Sequence, residues 1–116
     1  MPRFKTLTMD DIIKAAEMNG FEWTKKKYYN GRGPITEACV LGQIALNTKI
    51  NPNDLLSALN MAIGYGDSAK IWHYNDFEAT SYEDSVANLK KVLSSHQGKE
   101  ITVKTLTTKR EIIRKG

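Results

Sequence analysis

The chain has little cysteine and histidine: its 116 residues include one cysteine, Cys39, and two histidines, His73 and His96. A single cysteine cannot form an internal disulfide, and small domains that fold in oxidising compartments usually carry several. These three residues also match no spaced zinc motif. We therefore expect a cytoplasmic protein with no disulfide, no structural metal and no cofactor.

Long apolar runs are also missing. No window approaches the roughly 20 apolar residues that a membrane-spanning helix needs, and the first residues contain no apolar stretch of signal-peptide length. The hydrophobic share of 41% and the charged share of 26% are typical of globular domains. We expect one soluble domain that does not interact with a membrane and is large enough to bury its own core.

The positive charge is unevenly distributed. The formal net charge is +4, and residues 98–116 carry six lysines and arginines against two acids. The rest of the chain is close to neutral, so the basic balance describes one terminal segment and not a whole binding surface. We divide the chain into a globular domain at 1–108 and a basic C-terminal arm at 109–116.

Capping residues and apolar spacing predict about four helices. The first spans 9–19 and is preceded by Thr8, three residues before Asp11, which is the spacing of a capping box. The second begins at Thr36, and its Gly42 indicates that another element approaches closely. The third begins after Asn51 and Pro52 and ends at Gly64. The fourth follows Ser81 and ends at Gln97.

Two β segments complete the predicted fold. Residues 21–24 alternate apolar and polar side chains before the turn dipeptide Asn30-Gly31, which predicts a short strand and a hairpin. Residues 100–107 are rich in β-branched side chains and predict a C-terminal strand that pairs with the first segment. The fold class is therefore a helix-dominated α+β single domain.

The stretch Lys70–Asp84 is the richest in chemically active side chains. We interpret it as a structured connector in which Asn75 and Asp76 shape a turn and Trp72 anchors the loop to the core. The binding residues that we predict in it are Trp72, His73, Tyr74, Asn75 and Asp76.

A second candidate surface lies around the predicted hairpin. Glycines at 31 and 33 expose backbone amides, arginine forks onto phosphate oxygens, and aromatic rings can stack on bases. The spacing does not match a phosphate-binding glycine motif. The binding residues that we predict here are Trp23, Lys26, Tyr28 and Arg32.

A thiol hydrolase is the enzymatic alternative. Cys39 falls near a helix N-terminus, where the helix dipole lowers a thiol pKa, and His73 follows it in the chain with Asn75 or Asp76 as the orienting group. The competing interpretation is a small core residue, because Cys39 lies between Ala38 and Val40. No other feature favours catalysis, and we predict no catalytic residue.

The segment 36–95 resembles a family of small bacterial and phage proteins for which no activity is established. The resemblance rests on Cys39-x-x-Gly42-x-Ile44, on the Asn75-Asp76 pair, and on the capped helix that follows. The family pattern has tryptophan directly before Asn-Asp, where this chain has Tyr74. No histidine belongs to the pattern, so the resemblance gives a Cys-His hydrolase no support.

The favoured function is a non-catalytic binding protein. The resemblance implies a small phage or mobile-element accessory protein that binds and modulates or inhibits a host macromolecule, with a role in anti-defence. We expect the partner to be a protein. The first alternative is a nucleic-acid or nucleotide-binding module that uses the basic hairpin and the C-terminal arm, and the second is a Cys-dependent hydrolase.

Overall fold

Helices make up most of the regular structure in the computed structural model, which describes residues 3–115. The predicted α+β class is confirmed, and in the described residues five α-helices form where about four were expected. In chain order the elements are β1 (Phe4–Thr8), α1 (Met9–Glu17), β2 (Glu22–Trp23), β3 (Glu37–Ala38), α2 (Val40–Thr48), α3 (Pro52–Ile63), α4 (Tyr65–His73), a π-helical turn (Tyr74–Glu78), α5 (Tyr82–Leu93), a 3-10 turn (Ser94–His96) and β4 (Glu100–Lys104).

Three helix starts follow the capping chemistry predicted from the sequence. At α1 the box is reciprocal: Thr8 Oγ1 accepts from the Asp11 amide at 3.1 Å, and Asp11 Oδ2 accepts from the Thr8 amide at 2.9 Å. Asn51 caps α3 and Ser81 caps α5 through the same third-residue amide contact. Each cap satisfies an amide that has no partner inside its helix.

Two helix predictions were wrong. The helix predicted from Thr36 begins at Val40, because residues 37–38 pair as a strand and Cys39 is the N-cap. The stretch Lys70–Asp84 is not a loop connector, since its first residues belong to α4 and the next five form the π-helical turn. Gly64 does end α3, with φ of 90°, but α4 starts immediately after it.

The strand pairing also differs from the prediction. The C-terminal strand is confirmed as β4, but it pairs antiparallel with β1, where no strand was predicted. The hairpin prediction was wrong for β2, which pairs with β3 in parallel register, Glu22 with Glu37 and Trp23 with Ala38. Ala38 also bridges Tyr29 on its other side, so it lies between two segments of the preceding chain.

The core is organised around α2, against which α1, α3 and α5 pack. Every residue from Val40 to Leu46 is buried. At Gly42 an added Cβ would lie 2.2 Å from the Tyr28 carbonyl oxygen, which confirms the predicted close approach. No helix in residues 3–115 is long and apolar enough to cross a bilayer.

Candidate functional site

Asn75, predicted from the sequence to shape a turn and to contribute to binding, is a buried residue that connects several segments. Its side chain is 1% exposed. The Oδ1 atom accepts hydrogen bonds from Trp23 Nε1 at 2.9 Å, the Val40 amide at 3.1 Å and Ser85 Oγ at 2.9 Å. One oxygen therefore joins β2, the N-terminus of α2, and α5 to the π-helical turn. We call Asn75 and these three donors the Asn75 hub.

The side-chain nitrogen of Asn75, Nδ2, connects the hub to the segment after β2. It donates to the Thr24 carbonyl at 3.4 Å and to Asp76 Oδ1 at 3.0 Å. Asp76 Oδ1 also accepts from the Lys26 amide at 2.8 Å, where Lys26 has a left-handed φ of 66°. Asn75 and Asp76 thus bind the backbone of residues 24–26 to the end of α4.

Aromatic and cationic side chains form the surface above this hub. Trp72 is 36% exposed and Phe77 is 56% exposed, so Trp72 does not anchor a loop in the core as predicted. The His73 ring lies 4.8 Å from the Phe77 ring, and Lys26 Nζ lies 5.0 Å from the Phe77 ring centroid. The aromatic–lysine face is defined by five residues: Lys26, Lys27, Trp72, His73 and Phe77.

Cys39 lies beneath a shallow pocket of about 200 Å³ at the edge of this face. The thiol is 6% exposed, and its sulfur accepts from the Gly42 amide at 3.4 Å. Burial raises the pKa of the Cys39 thiol to about 11, because a thiolate would lose its hydration. His73 contacts Trp72 and Phe77 on the face. The geometry therefore supports a packed, neutral cysteine and not an activated nucleophile.

Tyr74, the first residue of the π-helical turn, contacts α5. Its hydroxyl donates to Asp84 Oδ1 at 2.9 Å, and this hydrogen bond raises the pKa of the Tyr74 phenol because the carboxylate opposes a second negative charge. His73 and Tyr74 also line a groove of about 410 Å³ between α4 and α5. Its other ionisable side chains carry both signs of charge: Asp67, Lys70, Glu78 and Lys91.

The structure brings most of the predicted binding residues together. Trp23 and the buried Asn75 meet in the Asn75 hub. Beside it, one pocket is lined by Lys26, Tyr28, Trp72 and the half-buried Asp76, whereas His73 and Tyr74 line the groove between α4 and α5. Arg32 lies apart from them, in the exposed loop at 31–34. Sequence reasoning missed Ser85 and Phe77. Phe77 could have been predicted as a site residue, because it is an aromatic residue directly after the Asn75-Asp76 pair. Nothing in the local sequence indicates that Ser85 belongs to the site.

The basic C-terminal segment packs against the loop that contains Arg32. The Ile35 amide donates to the Glu111 carbonyl at 2.7 Å, and the Ile113 amide donates to the Ile35 carbonyl at 2.9 Å. The Lys115 amide donates to the Gly20 carbonyl at 2.9 Å. Residues 110–115 of the predicted arm therefore pair with the body, while Gly116 lies outside the described residues.

Metal ligands do not converge in the part of the chain that the structure describes, where no group of three His, Cys, Asp or Glu side chains could hold an ion. Comparison with protein-family models, curated proteins and solved structures finds no match for this chain. The resemblance to the bacterial and phage family stays a prediction.

Proposed function

We propose that this protein is a non-catalytic binding protein that engages and modulates a macromolecule through the aromatic–lysine face. The observation that supports this most is the exposure of Trp72 and Phe77 on a surface fixed by a buried, fully hydrogen-bonded Asn75. Large aromatic side chains are the most common energetic anchors of protein interfaces. An exposed apolar patch rimmed by polar residues marks an interaction site.

The side chains of the aromatic–lysine face are carried by regular backbone. Trp72 belongs to α4 and Phe77 to the π-helical turn, both regular backbone, and Asp76 holds the Lys26 amide beside them. A partner would therefore meet side chains whose backbone is already ordered. Pre-organisation of this kind lowers the conformational entropy lost on binding.

The charge of the face indicates the chemistry of its partner. It carries two lysines, and Asp76, the carboxylate that lines the same pocket, is half-buried and accepts two hydrogen bonds. Such a face complements an acidic protein surface with an apolar centre. Our hypothesis is that the partner is a host protein and that the chain acts as an accessory protein of a phage or mobile element, as the family resemblance implies.

Site-specific photo-crosslinking in the cells that naturally carry the gene tests this function. A photoreactive phenylalanine analogue replaces Phe77 in one variant and Met61, which is 90% exposed on α3, in the control. We expect one dominant protein adduct from position 77 and none from position 61. Adding Trp72→Ala to the position 77 variant should abolish the adduct.

The same experiment separates the alternatives. Adducts of equal yield at both positions, or no adduct at position 77, would contradict the proposal. An adduct that nuclease treatment degrades would indicate that the partner is a nucleic acid and not a protein. Once identified, the purified partner should bind Trp72→Ala at least about tenfold more weakly than the unaltered chain, as expected for an anchor residue.

A further inference from the structure

A second cationic site lies beside the C-terminal segment, away from the hub. It is an open groove of about 460 Å³. Its lining consists of three cations, one hydroxyl and three apolar side chains: Lys49, Arg110, Arg114, Thr108, Leu46, Leu106 and Ile112. No carboxylate is among them. We call it the tail groove.

Neutral groups hold the two arginines in place. Arg110 donates from Nε to the Gly33 carbonyl at 2.9 Å and from Nη2 to the Asn30 carbonyl at 2.6 Å. Arg114 donates to Asn47 Oδ1, and its guanidinium lies 5.1 Å from the Phe21 ring centroid. Neither arginine takes part in the ion pairs found in residues 3–115. Both positive charges are therefore oriented but not neutralised.

Lys49 supplies the third charge from the C-terminal end of α2. Its backbone is left-handed, with φ of 60°, a conformation in which glycine or asparagine usually ends a helix. Its ammonium group is likewise absent from the ion pairs among the described residues. Three uncompensated cations thus face one groove whose other walls are largely apolar.

We propose that the tail groove binds a small molecule that carries a phosphate monoester and an apolar or aromatic body. A phosphate monoester has a charge near −2 and three acceptor oxygens, and the guanidinium N–H groups that do not hold Gly33, Asn30 and Asn47 can donate to these oxygens. Leu46, Leu106 and Ile112 provide the surface for the body. The volume lies in the range of small-ligand sites. This site is independent of the aromatic–lysine face.

Titration calorimetry with adenosine monophosphate, adenosine, glycerol 3-phosphate and inorganic phosphate tests the proposal on the full chain. We expect saturable binding of adenosine monophosphate, weaker binding of the other two phosphates, and none of adenosine. Lys49→Asn removes the charge with a residue that accepts left-handed backbone. It should weaken adenosine monophosphate binding about tenfold, as expected for one lost charge-assisted hydrogen bond.

Lys14→Gln on α1 is the matched control, because it removes one exposed lysine that lines neither the tail groove nor the groove between α4 and α5, and it should leave binding unchanged. Equal weakening by both variants would overturn the proposal in favour of non-specific charge attraction. So would the absence of saturable adenosine monophosphate binding. Inorganic phosphate binding as tightly as adenosine monophosphate would overturn the assignment of the apolar body. Circular dichroism of each variant verifies that the fold is retained.

Discussion

The Asn75 hub and the tail groove are both assembled from segments far apart in sequence, but different groups hold them. In the hub, a buried side-chain amide connects four segments. Beside the tail groove, backbone hydrogen bonds and a partly exposed arginine attach one terminal segment to a loop. The hub is therefore part of the core, whereas we expect the C-terminal segment to open locally while the core stays folded.

Asn75→Ala should produce the largest loss of stability. It leaves the Trp23 indole N–H, the Val40 amide and the Ser85 hydroxyl without their acceptor in a buried site. Each unsatisfied buried group costs about 1–3 kcal/mol, so we expect the free energy of unfolding to fall by about 3 kcal/mol or more. Urea denaturation followed by circular dichroism measures it.

Asn88→Ala is the control for this substitution. Asn88 makes one hydrogen bond, from Nδ2 to the Lys70 carbonyl at 3.0 Å, at a half-buried position. Its loss should lower the free energy of unfolding by about 1 kcal/mol or less. If Asn75→Ala destabilised the protein no more than Asn88→Ala, the hub would not be part of the cooperative core.

The reactivity of Cys39 gives the next largest effect. Burial raises the pKa of the thiol from 9.0 to about 11, so at pH 8 the folded protein should hold about 100-fold less thiolate than the unfolded chain. Iodoacetamide labelling should be slower by about that factor in buffer than in urea. The same shift lowers the free energy of unfolding as the pH rises above 9.0, since only the unfolded state then releases the proton. Fast labelling of the folded protein near neutral pH would revive the hydrolase alternative.

Gly42→Ala tests the packing beside the hub. Alanine stabilises a helix by about 1 kcal/mol relative to glycine, but here its Cβ would meet the Tyr28 carbonyl oxygen at 2.2 Å. We expect the clash to dominate and the free energy of unfolding to fall by about 2 kcal/mol. Gly66→Ala in α4 is the matched control, because nothing lies within 4 Å of its added Cβ. That variant should be unchanged or up to about 1 kcal/mol more stable, and equal behaviour of the two would contradict the packing argument.

The features that sequence predicted correctly are local ones. Thr8, Asn51 and Ser81 cap helices through amides three residues away, so residue type and spacing were sufficient. Gly42 likewise indicated a close approach, although its partner, Tyr28, could not be identified. The fold class followed from these helix starts together with the β-branched strand at the C-terminus.

The features that sequence missed depend on long-range contacts. Helix α4 starts at Tyr65, directly after Gly64 caps α3, and a glycine predicts the end of a helix but not that another begins at the next residue. Strand β1 exists because β4 pairs with it across the whole chain. The role of Asn75 depends on donors 52, 35 and 10 residues away, and no periodicity encodes such distances.

Arg110→Ala should have a smaller and local effect. It removes two hydrogen bonds to loop carbonyls at a partly exposed position, which stabilise the segment by about 1 kcal/mol. Hydrogen exchange should accelerate at the Ile35 and Ile113 amides and stay unchanged at the Val40 amide in the hub. Arg32→Ala is the control, since that exposed side chain makes no hydrogen bond within residues 3–115. Faster exchange at Val40 would show that the two regions unfold together.

The smallest change in stability is expected from two lysines with left-handed backbone, one in each region. Lys26 has φ of 66° and Lys49 has φ of 60°. Asparagine accepts this conformation more readily than lysine, so Lys26→Asn and Lys49→Asn should each change the free energy of unfolding by only a few tenths of a kcal/mol, about 0.5 at most. Both keep the local backbone, including the Lys26 amide that donates to Asp76.

The two variants should nevertheless weaken the binding of different ligands. Lys26→Asn removes a cation from the aromatic–lysine face. It should therefore weaken binding of the macromolecular partner and leave binding of adenosine monophosphate unchanged. Lys49→Asn should weaken binding of adenosine monophosphate and leave binding of the macromolecular partner unchanged. Titration of both variants with both ligands, beside urea denaturation, measures this. If either variant weakened binding of both ligands, the hub and the tail groove would be energetically coupled. The distinction between a fixed core and a terminal segment that opens locally would then not hold.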